Sequence, residues 1–168
     1  MRRLLLATLP ALFALVLALP AYAQTLSHFT SSTTGLAFDY PSDWQVREGT
    51  GPIPDGLDDL RVLVDASGAS RLTVETGSLP SGDLADLQAS TKADPTASSV
   101  TDVMRGPNGR SAFTALWTVD GMTIQTVFLA KGGTRFFSVS WPTENENSVV
   151  RAMTLVVGSV DAPATPSQ

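Results

Sequence analysis

The chain has 168 residues, 11 basic and 16 acidic, with one histidine and no cysteine. Those numbers exclude disulfides, thiol nucleophiles and a histidine-rich zinc site. The acidic balance makes nucleic acid and anionic lipid poor partners.

The first segment is built like a removable export signal. Arg2 and Arg3 form a positive start, Leu4 to Leu19 an apolar run, and Ala21-Tyr22-Ala23 a small-x-small cleavage site before Gln24. Residues 1–23 are therefore expected to be a secretory signal peptide, and the protein to be periplasmic or secreted. No cysteine follows the apolar run, so no lipid attachment point is expected, nor stable membrane insertion once the signal is cleaved. Loss of Arg2 and Arg3 leaves 9 of the 11 basic residues against 16 acidic ones. Residues 24–160 make one globular domain, long enough to bury roughly two thirds of its unfolded surface. The last stretch, 161–168, is small, polar and broken by Pro163 and Pro166, and reads as a disordered tail.

Within the domain, Leu36, Phe38 and Tyr40 alternate with Ala37 and Asp39, as in a strand. Pro41 fixes φ and keeps Tyr40 extended, which predicts a turn into a second strand, with Trp44 packed beneath the hairpin. Val62, Val64, Leu72 and Val74 predict another antiparallel pair turning near Ser67-Gly68. Leu84, Leu87 and Thr91 have helical spacing, with capping oxygens in Ser81 and Asp83 before them and Asp94-Pro95 after them.

From Ser98 to Trp141 three turn signals, Asn108-Gly109, Asp120-Gly121 and Gly132-Gly133, separate four alternating segments and predict an antiparallel meander. Two-residue turns would pair Phe113 with Phe128, Trp117 with Ile124, Phe128 with Phe137 and Ile124 with Trp141, gathering six large side chains on one face. The Asn108-Gly109 turn would set Met104 beside Phe113 and Val100 beside Trp117, with Asp102 a misfit opposite Ala115. The other face is polar apart from Ala112, Leu129 and Phe136, which would lie in a row at one end. A helix or the N-terminal hairpin is the expected cover for that row; left open, Leu129 and Phe136 are the candidate binding residues. A last helix is expected from Thr143, whose hydroxyl forms a capping box with Glu146, along a stripe of Val149, Val150, Met153, Val156 and Val157, closing at Gly158.

The run Gly35-Leu-Ala-Phe-Asp-Tyr-Pro-Ser-Asp-Trp-Gln-Val46 resembles the first hairpin of PsbP-like domains, a strand, Tyr-Pro, a short gap, Trp and a second strand. The order that follows, two strands, a helix, a meander and a C-terminal helix, is similar too. The resemblance implies an α+β fold, an antiparallel sheet flanked by helices as an α-β-α sandwich. It also implies membership of a superfamily whose members bind or stabilise other proteins: photosystem extrinsic subunits, a Ran-binding protein, envelope lipoproteins and secretion-effector chaperones. The chain departs from the lipoproteins in lacking the lipid-bearing cysteine. It also lacks a recognisable photosystem-type extension, which argues against a photosynthetic role.

The catalytic signals are thin. A Ser-His-Asp constellation has only His28 to draw on, and no Gly-x-Ser-x-Gly elbow exists; His28 is expected at an edge, exposed or partly buried. The expected function is a non-enzymatic protein-binding or assembly module of the cell envelope, with no cofactor and with another envelope or secreted protein as partner. Two alternatives remain open. One is an envelope hydrolase using paired carboxylates. The other is a calcium-dependent surface protein using Asp55, Asp58 and Asp59, although their spacing does not match an EF-hand.

Overall fold

The computed structural model describes residues 25–49, 53, 56–79 and 81–161. The expected signal segment, Asp55 and the tail after Asp161 lie outside the described residues.

The chain enters as a ribbon of β1 (Leu26–Thr30) and β2 (Ala37–Pro41), paired antiparallel. The ribbon does not end in the expected hairpin. Strand β3 (Trp44–Glu48) does not return along β2 but pairs with β4 (Leu57–Asp65), so Tyr40-Pro41 links two sheets and not the arms of one hairpin. Pro41 is the last ribbon residue, opposite Leu26; three residues later Trp44 drops into the core, 7% exposed. The predicted partner of β4 is β5 (Arg71–Ser78), with Leu63 opposite Leu72.

Helix α1 (Leu84–Ala93) forms where its caps place it: the Asp83 carboxylate accepts from the Ala85 N–H at 3.0 Å, and Asp94 ends it. Strands β6 (Ala97–Val100), β7 (Met104–Arg105), β8 (Ser111–Val119), β9 (Met122–Ala130) and β10 (Arg135–Pro142) follow, then α2 (Glu146–Ser159). Among the described residues eight strands form one antiparallel sheet in the order β3-β4-β5-β10-β9-β8-β6, with β7 also on β8.

The β8–β9 hairpin has the predicted register, Phe113 opposite Phe128 and Trp117 opposite Ile124. Asp120 and Gly121 both take positive φ, 50° and 79°, as a two-residue primed turn requires. The next register is one residue off. Phe137 faces Leu129, and Ser138 faces Phe128, because Thr134 joins Gly132 and Gly133 in the turn. One added residue moves every β10 side chain to the other face, so Phe137 and Trp141 leave the expected cluster and Phe136 joins it. Asn108-Gly109 likewise closes no two-residue turn: it lies in a 3-10 turn, Pro107–Gly109. Met104 therefore sits opposite Ala112 and Val100 opposite Ala115, while the misfit Asp102 is exposed and 3.1 Å from the Lys92 ammonium.

Helix α2 starts later than expected. Residues Thr143–Asn145 form a 3-10 turn, and the Thr143 hydroxyl donates to the Thr123 carbonyl, so no capping box exists. Its buried stripe is Val149, Ala152 and Val156, flanked by Met153 and Val157; Val150 faces solvent, and the helix continues through Gly158.

Two cores result, one on each face of the sheet. The first joins α2 and the β1–β2 ribbon to Leu63, Leu72, Val74, Phe137, Val139 and Trp141. The second joins α1 to Phe113, Ala115, Phe128, Ala130 and Phe136. The architecture is α+β, with helices on both faces of an antiparallel sheet. None of the described helices is long and apolar enough to cross a membrane.

Candidate binding face

The two predicted binding residues do not share a patch. Leu129 pairs with Ala112 and Phe137, so it faces α2, partly buried against the first core. Phe136 points the other way, 7% exposed, its ring 6.2 Å from Phe128. The expected row assumed the two-residue turn after β9; the third turn residue separates them. Leu129 does line a cavity with Arg110, Phe137, Val157 and Val160, but at about 20 Å³ it has room for a water and not a substrate.

The acidic loop also resolves into local structure. Asp59 is 3% exposed and accepts from the Thr34 hydroxyl at 2.7 Å, with Arg61 Nε 2.9 Å away. Burial alone would raise this carboxyl; hydrogen bonds from Ser31 and Thr34 and the Arg61 charge outweigh it and hold it below its ordinary value. Arg61 in turn lies over the Phe29 ring and reaches Glu48, while Arg135 donates to the Thr34 carbonyl and sits 3.8 Å from Asp58. The carboxylates of Asp58 and Asp59 are thus matched by different arginines that clamp the ribbon to the sheet, and Asp55 lies outside the described residues. His28 is an exposed edge residue paired with Asp39 at 2.7 Å.

A different surface emerges from the register. Helix α1 packs on β6, β8 and β9, and α2 on the opposite side of the sheet. On the face that bears α1, the helix reaches β6, β8 and β9, and the half made by β3, β4, β5 and β10 is closed at its centre, with Ser138 0% and Thr126 of the adjoining β9 4% exposed. Pairing puts Thr73, Glu75, Ser138, Ser140 and Thr126 side by side across three adjacent strands. The Ser138 hydroxyl donates to Glu75 Oε2 at 2.7 Å, Thr126 and Ser140 hydroxyls lie 2.9 Å apart, and the Trp117 indole N–H donates to Thr126 at 3.0 Å. Apolar side chains border this lane on both sides. Val62 and the buried Val64 project from β4, and Ile124, Met122 and Val119 continue to the β8–β9 tip, where Met122 is 47% exposed.

Glu75 is the residue that sequence reasoning missed. Burial pushes its carboxyl up from the ordinary range, and the Ser138 hydrogen bond only partly offsets that. Its face neighbours by register are Leu60, Thr73, Gly77, Ser138 and Ser140, so the second acid required by a two-carboxylate hydrolase is not beside it. In the sequence Glu75 reads as the solvent side of an alternating strand. Only the β5–β10 pairing, between strands distant in the chain, brings Ser138 to it.

No family profile and no curated protein sequence matches the chain. Solved structures share its fold, including the following two. A solution structure of cyanobacterial PsbP (CyanoP) from Synechocystis sp. PCC 6803 aligns with a TM-score of 0.56 at 14% identity, over 88% of this chain and 99% of that one. A crystal structure from Bacteroides thetaiotaomicron VPI-5482 aligns with a TM-score of 0.52, also at 14% identity, over 84% of this chain and 50% of that one. The fold is PsbP-like, as the Tyr-Pro-x-x-Trp resemblance implied.

Proposed function

We propose that the protein is an exported, non-enzymatic protein-binding or assembly module of the cell envelope. The observation behind this reading is the broad sheet face beside α1, where the partly desolvated Glu75 carboxylate bonds Ser138 between apolar borders. Such a surface suits a macromolecular partner, because small-molecule chemistry favours a concave pocket that encloses its ligand. The PsbP-like fold adds support by analogy only, since one fold hosts many functions. Export is supported by Arg2, Arg3, the apolar run to Leu19 and Ala21-Tyr22-Ala23.

Two measurements test the proposal. Amino-terminal sequencing of protein recovered from an extracytoplasmic fraction is expected to begin at Gln24; recovery only from the cytoplasm with Met1 or Arg2 intact overturns the location. Cross-linking in the producing cells is expected to trap a defined protein complex. Turnover of a defined substrate with no complex formed overturns the binding reading.

A further inference from the structure

We infer that Met104 and Met122 are sites of reversible oxidation in the producing cell, at which peroxide converts each thioether to its sulfoxide without disturbing the fold. This inference goes beyond the binding-module reading and does not depend on it.

The chain holds four methionines and no cysteine, so thioethers are its only sulfur. Met1 falls before the expected cleavage at Ala23, which leaves Met104, Met122 and Met153 in the domain. Met104 on β7 is 49% exposed and Met122, at the start of β9, is 47% exposed. They stand at opposite ends of β8, across from Ala112 and Val119, and belong to neither core. Met153 on α2 is different, being partly buried against the first core.

With no thiolate to react first, susceptibility passes to the thioethers that peroxide can reach. A sulfur lone pair attacks one oxygen of hydrogen peroxide, and the S–O bond forms as the O–O bond breaks. The departing hydroxide takes the proton from the new S–OH group and leaves as water, so that sulfur is oxidised and peroxide reduced. The sulfoxide is polar where the thioether was apolar. At Met104 and Met122 it meets solvent, and the turn between Val119 and Met122 is set by the positive φ of Asp120 and Gly121 and not by sulfur. At Met153 the same oxygen would enter the margin of a packed core, so reaction there waits on local opening. Oxidation of Met122 therefore replaces an apolar surface beside the exposed Val119 with a polar one. The two methionine sulfoxide reductases, each specific for one epimer, can undo it.

The test treats the chain purified from its producing cells with hydrogen peroxide and follows it by peptide mass spectrometry. Met104 and Met122 are each expected to gain one oxygen at similar rates, and Met153 about tenfold more slowly. In denaturing urea all three should react alike. The doubly oxidised protein should keep its circular dichroism spectrum and urea midpoint, and the reductases should restore its mass. A chain carrying Met104→Leu and Met122→Leu, which keep the volume, should take up no oxygen until Met153 reacts, whereas Met153→Leu should leave the wild-type pattern. Peroxide challenge of the cells should raise the sulfoxide fraction at Met104 and Met122.

Met153 reacting as fast as the others in the folded chain, or either exposed methionine staying reduced, would overturn the assignment of the sites. A lowered urea midpoint, or a mass that the reductases fail to restore, would overturn reversibility. No rise in sulfoxide after challenge would overturn the reaction in the cell. The binding-module reading stands in each case, since none of these measurements involves a partner.

Discussion

Two acidic residues of this chain respond to pH in opposite directions, because one is stranded and the other is matched. The Glu75 carboxyl is raised above its ordinary value near 4.5 by burial. Its effect on stability is most favourable below that value and is lost as pH rises through the folded-state value, where the desolvated carboxylate must ionise. Glu75→Gln keeps the shape and removes the charge, so thermal denaturation is expected to show a higher Tm than wild type at pH 8 and no difference at pH 3.5. A variant less stable than wild type at pH 8 would contradict this. Asp59 behaves in reverse. Its folded value lies below the ordinary 3.8, so its contribution is present above that value and disappears as pH falls through the lower one. Asp59→Ala leaves the Arg61 guanidinium, whose side chain is only 15% exposed, beside an emptied site. It is expected to cost about 2 kcal/mol at pH 7 in urea unfolding, and progressively less as pH falls below the ordinary 3.8. Neither role was legible in the sequence, where Asp58-Asp59 reads as a solvated acidic loop and Glu75 as the outward residue of an alternating strand. Both depend on partners about 25 or more residues away, Thr34 for Asp59 and Ser138 for Glu75.

At the level of elements, short-range chemistry was legible wherever a turn or cap closed on itself. Asp120-Gly121 set the whole β8–β9 register, and Asp83 set the start of α1. Asp83→Ala is accordingly expected to cost about 1 kcal/mol. What the sequence could not supply was the number of residues in the Gly132-Gly133 turn, since a glycine pair permits positive φ without fixing the loop length. That single residue decided which of Phe136 and Phe137 joined which core, and with them whether Leu129 and Phe136 lay together. The alternation of β10 was a poor guide because the strand is central, with Phe136, Phe137, Ser138 and Val139 all buried. Deletion of Gly133 tests the observed register. A two-residue turn would drive Phe137 toward the α1 core and Phe136 toward the α2 core, opposing the β5–β10 pairing that holds Phe137 opposite Thr76. The deletion is expected to abolish cooperative urea unfolding, whereas an inserted glycine-serine pair, which preserves parity, should retain it with a loss of about 1 kcal/mol. Cooperative unfolding of the deletion variant at wild-type stability would show that the register is not pinned.

For the whole molecule, the sheet both separates the cores and ties them together. The aromatic stack of Phe113 and Phe128, centroids 4.5 Å apart, lies under α1, while Trp141 and Trp44 lie under α2. Side chains of the two cores share no contact of their own, yet β9 and β10 contribute to both through alternate residues, Phe128 and Leu129 on one strand, Phe136 and Phe137 on the other. Neither core can melt without fraying strands that the other requires, so one cooperative transition is expected. The three tryptophans report from both sides, Trp44 and Trp141 in the α2 core and Trp117 against the α1 core. Urea transitions followed by tryptophan fluorescence and by far-ultraviolet circular dichroism should therefore coincide. Leu84→Ala in α1 and Val156→Ala in α2 both truncate fully buried side chains. They are expected to cost about 3 and 2 kcal/mol, and their effects should add to within about 0.5 kcal/mol because the sites have no common neighbour. Coincident probes with additive losses would mark two cores independent in packing and joined in folding. A fluorescence transition that splits in Leu84→Ala, with the α2 core surviving alone, would show instead that the α1 half is a separately stable layer.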